Sequence, residues 1–136
     1  MSSEQHKAIV RRFFDEVWNQ QKLAVIEDIF APTIHLNGHP IARTALTQMI
    51  ASRQAAFPDI HVTVEDQLAD GDQVATRRTW RGTQQGAYRG IAPTGMHVTW
   101  MQIGMVRFAE GRIVEDWVVA DEVRLLEQLG ALPTRG

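Results

Sequence analysis

From Ile60 to Asp121 the chain is dominated by alternation. Ile60, Val62 and Val64 interleave with His61, Thr63 and Glu65. Val74, Thr76, Arg78 and Trp80 interleave with Ala75, Arg77, Thr79 and Arg81. Val98, Trp100, Gln102, Gly104 and Val106 interleave with Met101, Ile103 and Met105. A period of two is the signature of strands, whose successive side chains point to opposite faces. Asp70-Gly71 and Glu110-Gly111 sit between these runs as tight-turn pairs, which predicts antiparallel hairpins. A long antiparallel meander is therefore the feature that any fold of this chain must accommodate. Between two of its strands, Gly82 to Gly95 is a glycine-rich loop broken by Pro93. Gly90 and Gly95 have the gap of a phosphate-binding loop. Met96 and His97 stand where Lys and Ser or Thr would be needed, so that reading fails.

The front of the chain has helical spacing. Ser2 and Gln5 can form a capping box. Ile9, Val10, Phe13, Phe14, Val17 and Trp18 form one wide apolar stripe on a helix ending near Asn19. Leu23, Ile26, Ile29 and Phe30 mark a second helix stopped by Pro32, followed by a short strand over Thr33 to Leu36 and a turn at Asn37-Gly38. Thr44 can cap a third helix carrying Leu46, Met49, Ile50, Arg53 and Phe57, closed by Pro58. A last short helix runs through Leu125, Leu126 and Leu129 to Gly130 and Pro133. Segregated helices and antiparallel strands predict an α+β fold. The length, 136 residues without linker or repeat, predicts one domain over 1–136.

The stretch from Gly111 to Asp121 carries the chemistry. Strict alternation puts Ile113, Glu115, Trp117, Val119 and Asp121 on one face and Val114, Asp116, Val118 and Ala120 on the other. Carboxylates on an apolar face are costly unless paired, protonated or at a wet end. Asp121, where the strand stops, suits an acid–base group at a pocket wall. It equally suits the N-cap of the helix that follows. Arg78 flanks Trp80 on the inward face and needs an anion: Glu115, Asp121 or a ligand oxygen. Both faces of the last two strands are apolar, and three helices cannot cover both, so the second face is expected to pack against another copy of the chain.

Composition closes several routes. A net charge of -2 gives no case for nucleic acid as a partner. The absence of cysteine excludes disulfides and thiolate chemistry. His35 and His39 are separated by a turn and the other histidines are scattered, so no metal site is expected. No apolar run approaches a membrane span and the N-terminus lacks a signal-peptide core, so a cytoplasmic protein is expected.

Four stretches, taken in order, resemble one family: Phe13, Phe14, Val17, Trp18 and Asn19; Ala56-Phe57-Pro58-Asp59 leading to Val62 and Val64; Gly71-Asp72, Gly82-Thr83, Gly86, Gly90 and Pro93-Thr94-Gly95; and Gly111 to Trp117 with Asp121, running into Leu125, Leu126, Gln128, Leu129 and Gly130. The chain is similar to the SnoaL-like polyketide cyclases, or ester cyclases, of the nuclear-transport-factor-2-like superfamily. That resemblance implies a cone of three N-terminal helices on a curved, mostly antiparallel sheet enclosing a pocket. It implies cofactor-free intramolecular aldol ring closure of a polyketide-type ester, with the family's acid–base aspartate falling on Asp121. Gln102 or Arg78 would stabilise the developing enolate. Trp18, Phe30, His35, Phe57, Trp80, Trp100 and Trp117 are the expected ligand contacts, and a dimer through the outer sheet face is the expected assembly. The alternatives are another acid–base enzyme of small apolar molecules, an isomerase or dehydratase, or a non-catalytic ligand-binding protein.

Overall fold

The computed structural model describes residues 1–132. The first helix, α1, spans Ser3–Arg12. Its capping box is in place: Ser2 Oγ accepts from the Gln5 amide at 3.1 Å and Gln5 Oε1 from the Ser2 amide at 2.7 Å. At Phe13 the winding widens into a π-helix, Phe13–Asn19, where an unbroken α-helix was expected. Wider winding adds a residue per turn. Phe13, Phe14, Val17 and Trp18 are all buried within this stretch. Its end is tied down twice. Asn19 exchanges two hydrogen bonds with the backbone of Val62, at 3.0 and 2.8 Å. The buried Gln54 amide donates to the Val17 carbonyl at 3.0 Å.

The second helix is shorter than expected, a 3₁₀ turn at Leu23–Val25 and then α2 at Ile26–Ile29. Phe30 already belongs to the strand β1, Phe30–Leu36. Pro32 therefore lies inside a strand. It falls where the pairing of β1 with β6 (Arg112–Ala120) is interrupted, between Phe30 and His35, so its missing N–H breaks no regular ladder. Asn37 and Gly38, with φ of 50° and 84°, turn the chain into a further strand, β2, His39–Ala42. The third helix, α3, covers Arg43–Ala56; it begins one residue before Thr44, and no side chain caps it.

The meander is as the alternation predicts: β3 His61–Asp70, β4 Gln73–Thr83, β5 His97–Ala109, then β6. Gly71, Glu110 and Gly111 take positive φ at its turns. The last helix, α4, is Glu122–Gln128, with Gly130 at positive φ beyond it; Pro133 lies outside the described residues. The six strands form one open, mixed sheet in the order β2-β1-β6-β5-β4-β3, with β1 parallel to β6 and the other pairs antiparallel. Among the described residues four α-helices thus pack on the sheet, and the core lies between the two layers around Val17, Ile26, Val98, Ile113 and Leu125. No described helix is long and apolar enough to cross a membrane.

One irregularity decides the rest. β5 residues Arg107 and Phe108 are consecutive, yet their β6 partners are Glu115 and Ile113. Val114 is an extra residue, a β-bulge. One inserted residue exchanges the faces of everything beyond it. Ile113 points into the core, and so do Asp116, Val118 and Ala120; Glu115, Trp117 and Val119 point outward. The face assignment expected from strict alternation is thereby reversed along the chemically interesting part of β6.

Candidate functional site

The inner face of the sheet and the helices frame an open-mouthed cavity of about 420 Å³. The π-helix supplies Phe13, Phe14 and Trp18; α3 supplies Leu46, Met49 and Ile50. From the sheet come Arg78 and Trp80 on β4, Gln102 on β5, and Asp116, Val118 and Ala120 on β6. The register explains the grouping. Arg78 lies directly opposite Gln102, and Gln102 opposite Ala120; one step along, Gly104 lies between Thr76 and Val118. A β-carbon at Gly104 would stand 2.7 and 2.9 Å from the two terminal guanidinium nitrogens of Arg78 and 3.0 Å from the Trp117 carbonyl oxygen. The missing side chain is the room in which the guanidinium lies. Phe14 covers it from the other side, with Arg78 Cζ 4.5 Å from the ring centroid.

Three polar groups are held in this apolar setting. Gln102 Oε1 accepts from Arg78 Nε at 2.6 Å and from Trp80 Nε1 at 3.0 Å. Two donors on one oxygen fix the amide orientation and leave its NH₂ for the cavity. Burial lowers Arg78 to about 10, partly offset by attraction to Asp116; it remains a cation at neutral pH. Burial also pushes the Asp116 carboxyl up to about 6, with Arg78 drawing it back down. Asp116 Oδ1 is buried and makes no hydrogen bond. Among the described residues no ion pair within 4.0 Å joins it to Arg78. A carboxylate buried without a partner is costly and uncommon in a core. Asn37 holds this stretch of β6 in place: its backbone N–H donates to the Asp116 carbonyl at 2.9 Å, and its side-chain Oδ1 accepts from the Val118 backbone N–H at 2.8 Å.

The rim is charged. Arg53 on α3, Arg89 on the glycine-rich loop and Glu122 at the start of α4 complete the lining. Glu122 Oε1 accepts from Arg89 Nε at 3.1 Å and from the Tyr88 hydroxyl. Burial, and then that bond to Glu122, raise the Tyr88 phenol above its ordinary value. The loop is anchored by the fully buried Gln84, which donates to Gly86 and Ile91 and accepts twice from Thr94.

Of the residues expected from the sequence, Arg78, Gln102, Trp18 and Trp80 meet at the cavity. Trp18 and Trp80 pack edge to face with centroids 4.6 Å apart. Phe30, Phe57 and Trp100 lie in the core; Trp100 stacks behind Trp80 at 6.1 Å and against Phe57 at 5.6 Å. His35 is exposed on β1. Trp117 is 46% exposed on the outer face, where the bulge turns it. Asp121 lies apart from the other candidates, in the helix-capping position that the sequence also allows. It is exposed, does not line the cavity, and accepts from the Arg124 amide at 3.1 Å as the N-cap of α4. Glu115, one expected partner of Arg78, reaches Arg107 instead, at 3.4 Å. Asp116, Asn37 and Gly104 are the site residues that the sequence reading missed. One signal for Asp116 existed: Ile113 and Val118 are both strongly apolar yet five apart, a spacing that strict alternation cannot bury on one side.

No group of three or more His, Asp or Glu side chains able to hold a metal occurs among the described residues. What the cavity offers is a carboxylate poised near neutrality, a guanidinium and an amide NH₂ beside it, and aromatic walls. That set can move a proton from carbon and receive the negative charge that results.

The family model of SnoaL-like polyketide cyclases matches residues 8–129. Among solved structures the chain is similar to IdmH of Streptomyces antibioticus, a candidate polyketide cyclase. The two are 34% identical over 93% of this chain and 99% of that one, with a TM-score of 0.81. It is also similar to AclR of Streptomyces galilaeus, a candidate hydroxylase, with 30% identity over 99% of this chain and 91% of that one and a TM-score of 0.89. TsrD of Streptomyces laurentii, 20% identical over 97% of this chain and 99% of that one, shares the fold with a TM-score of 0.90. Among curated proteins, none matches the chain.

Proposed function

Because the chain belongs to the SnoaL-like polyketide cyclase family, we propose that it closes a ring in a polyketide-type ester by a cofactor-free intramolecular aldol reaction, with Asp116 as the acid–base group. The observation that carries this is the Asp116 carboxylate, its Oδ1 buried and without a hydrogen bond, at an aromatic-walled cavity beside two hydrogen-bond donors. Asp116 takes a proton from the carbon between two carbonyls. The Arg78 guanidinium and the Gln102 amide hydrogen-bond the enolate oxygen that forms. The enolate carbon attacks a third carbonyl elsewhere in the same folded chain, and protonated Asp116 gives its proton to the new alkoxide, so the carboxylate is regenerated. A carboxyl held near 6 is a far better base than one near 4, and it is ionised at neutral pH. Phe14, Trp18 and Trp80 hold the flexible chain folded so that its ends meet.

The test compares Asp116→Asn with Asp121→Asn on a linear anthraquinone-type ester, following ring closure by chromatography. Loss of the base is expected to reduce turnover by about 10²–10⁴-fold in Asp116→Asn, while Asp121→Asn stays within about threefold of the wild type. The reverse pattern would return the acid–base role to Asp121. Turnover of a β,γ-unsaturated ketone in place of ring closure would favour the isomerase alternative. The assembly proposed with this activity is a dimer, because the outer face carries Met101, Ile103, Met105, Trp117 and Val119 in the open.

A further inference from the structure

At Gly104 the inner face of the sheet carries no side chain. Thr76 on β4 and Val118 on β6 lie directly opposite it. Arg78 and Asp116 are its diagonal neighbours, since they pair with Gln102 and Val106, two residues to either side. Opposite side chains on one face stand about 5 Å apart and diagonal ones about 7–8 Å, so three polar residues converge over this glycine. Each has polar atoms to spare. Thr76 is buried, and its hydroxyl has no hydrogen-bond partner. Asp116 Oδ1 is in the same position. Arg78 is hydrogen-bonded, among the described residues, only through Nε, although its two terminal nitrogens lie over Gly104. Unpartnered buried polar atoms are uncommon one at a time. Finding two beside one glycine, with a guanidinium between them, points to a partner that they share. It has to be small, because the space is only that of a missing side chain. A water molecule qualifies, since buried waters typically make about three hydrogen bonds to such groups.

We propose that Gly104 floors a site for one bound water, which accepts from the Thr76 hydroxyl and from a terminal N–H of Arg78 and donates to Asp116 Oδ1, so that Thr76 is a positioning residue for the acid–base carboxylate. The site needs no particular reaction; only the catalytic role of Asp116 rests on the proposed function. The remaining N–H groups of Arg78 are left for the enolate. Water between the two charges also explains why they stand apart. A guanidinium directly on the carboxylate would lower its pKa by about 1–3 units and spoil it as a base. Through a water, Arg78 and Thr76 supply one hydrogen bond that favours the ionised form without that contact. Thr76 does not line the cavity, so it acts on Asp116 through the water and touches no substrate. The charge that bears on Asp116 is that of Arg78; the other charged groups of the lining, Arg53 on α3, Arg89 on the glycine-rich loop and Glu122 at the start of α4, stand at the rim.

The test follows the Asp116 carboxyl carbon through its titration by carbon-13 NMR, with Asp116→Asn identifying the resonance, so no substrate enters. Thr76→Val keeps the shape of the side chain and deletes the hydroxyl. The titration midpoint of Asp116 is expected to move up by about one unit, the worth of one hydrogen bond to the charged form, and the urea midpoint of unfolding at neutral pH to fall. Thr76→Ser keeps a hydroxyl and should restore both. Thr79→Val, on the outer face of β4, should change neither. A hydroxyl with no partner would behave in the opposite way, because its replacement by a methyl is neutral or stabilising. In a crystal structure of the wild type the water is expected within about 2.7–3.2 Å of Thr76 Oγ1, Asp116 Oδ1 and one terminal nitrogen of Arg78. An unmoved Asp116 midpoint in folded Thr76→Val overturns the proposal, and so does a crystal structure with these three groups in place and no water among them. Ring closure that survives Asp116→Asn would sink the proposed function and leave the water site standing.

Discussion

Replacing Asp116 by Asn tests the cavity electrostatics without any substrate. The amide imitates the protonated acid in shape and charge. Burial holds the Asp116 carboxyl at about 6 in the folded protein, against 3.8 when unperturbed. A raised carboxyl means the folded state binds the proton more tightly than the unfolded chain. The ionised group therefore costs stability above pH 6, and the cost fades as the pH falls through 6 towards 4. The rise corresponds to a penalty of about 3 kcal/mol at pH 8 that has almost vanished by pH 4. The attraction of Arg78 is already contained in that figure, since it draws the same carboxyl down. Asp116→Asn is thus expected to be up to about 3 kcal/mol more stable than the wild type at pH 8. For a chain of this size that is a Tm rise of about 10 °C. Near pH 4 the two proteins should nearly coincide. Urea unfolding at both pH values reads the difference directly. A variant no more stable at pH 8, or a gain that does not change with pH, would refute the placement of Asp116 in a water-poor cavity. A stabilised protein that has lost ring closure is the pattern of a group kept for chemistry against stability.

Under the proposed function, kcat/KM measured from pH 4 to 9 should rise with pH and level off above about 6, as Asp116 loses its proton. Gly104→Ala places a methyl against the Arg78 guanidinium and should cost about 1–3 kcal/mol in urea unfolding, with turnover falling as Arg78 is displaced. Asp121→Ala should cost about 1 kcal/mol through the lost α4 cap, while turnover persists. Val119→Asp, a charge on the outward face of β6, should convert the proposed dimer to a monomer by analytical ultracentrifugation; an unchanged mass would remove that face from the assembly.

The fold was legible wherever one local rule decided an element. The Ser2 and Gln5 capping box, the Asp70-Gly71 turn and the alternating runs of β4 and β5 stand where the sequence puts them. The elements that differed were decided elsewhere. Phe13, Phe14, Val17 and Trp18 suit an α-helix as well as a π-helix, and only packing chooses between them. Phe30 and Pro32 read as the end of a helix, but Phe30 finds a parallel partner in Ile113 of β6, far along the chain, and Pro32 falls in the gap of that pairing. Pro40 hid β2, although an edge strand tolerates a residue without an N–H.

The site was half legible for a related reason. On β4 and β5, alternation and register agree, so Arg78, Trp80 and Gln102 could be placed together from the residues alone. On β6 a single extra residue, Val114, exchanges Asp121 and Glu115 for Asp116 as the carboxylate that faces inward. Side-chain periodicity counts residues, whereas a sheet counts pairings, and a bulge is the place where the two counts part. Removing Val114 would restore strict alternation after Ile113. Because Val114 is the extra residue, its loss would leave Ile113, Asp116, Val118 and Ala120 on the inner face and Glu115, Trp117 and Val119 outward, with the same β5 partners. The shortened chain is expected to keep ring closure, and that turnover is expected to stay sensitive to Asp116→Asn. Turnover that instead came to depend on Glu115 would refute the identification of Val114 as the residue that sets the faces of β6.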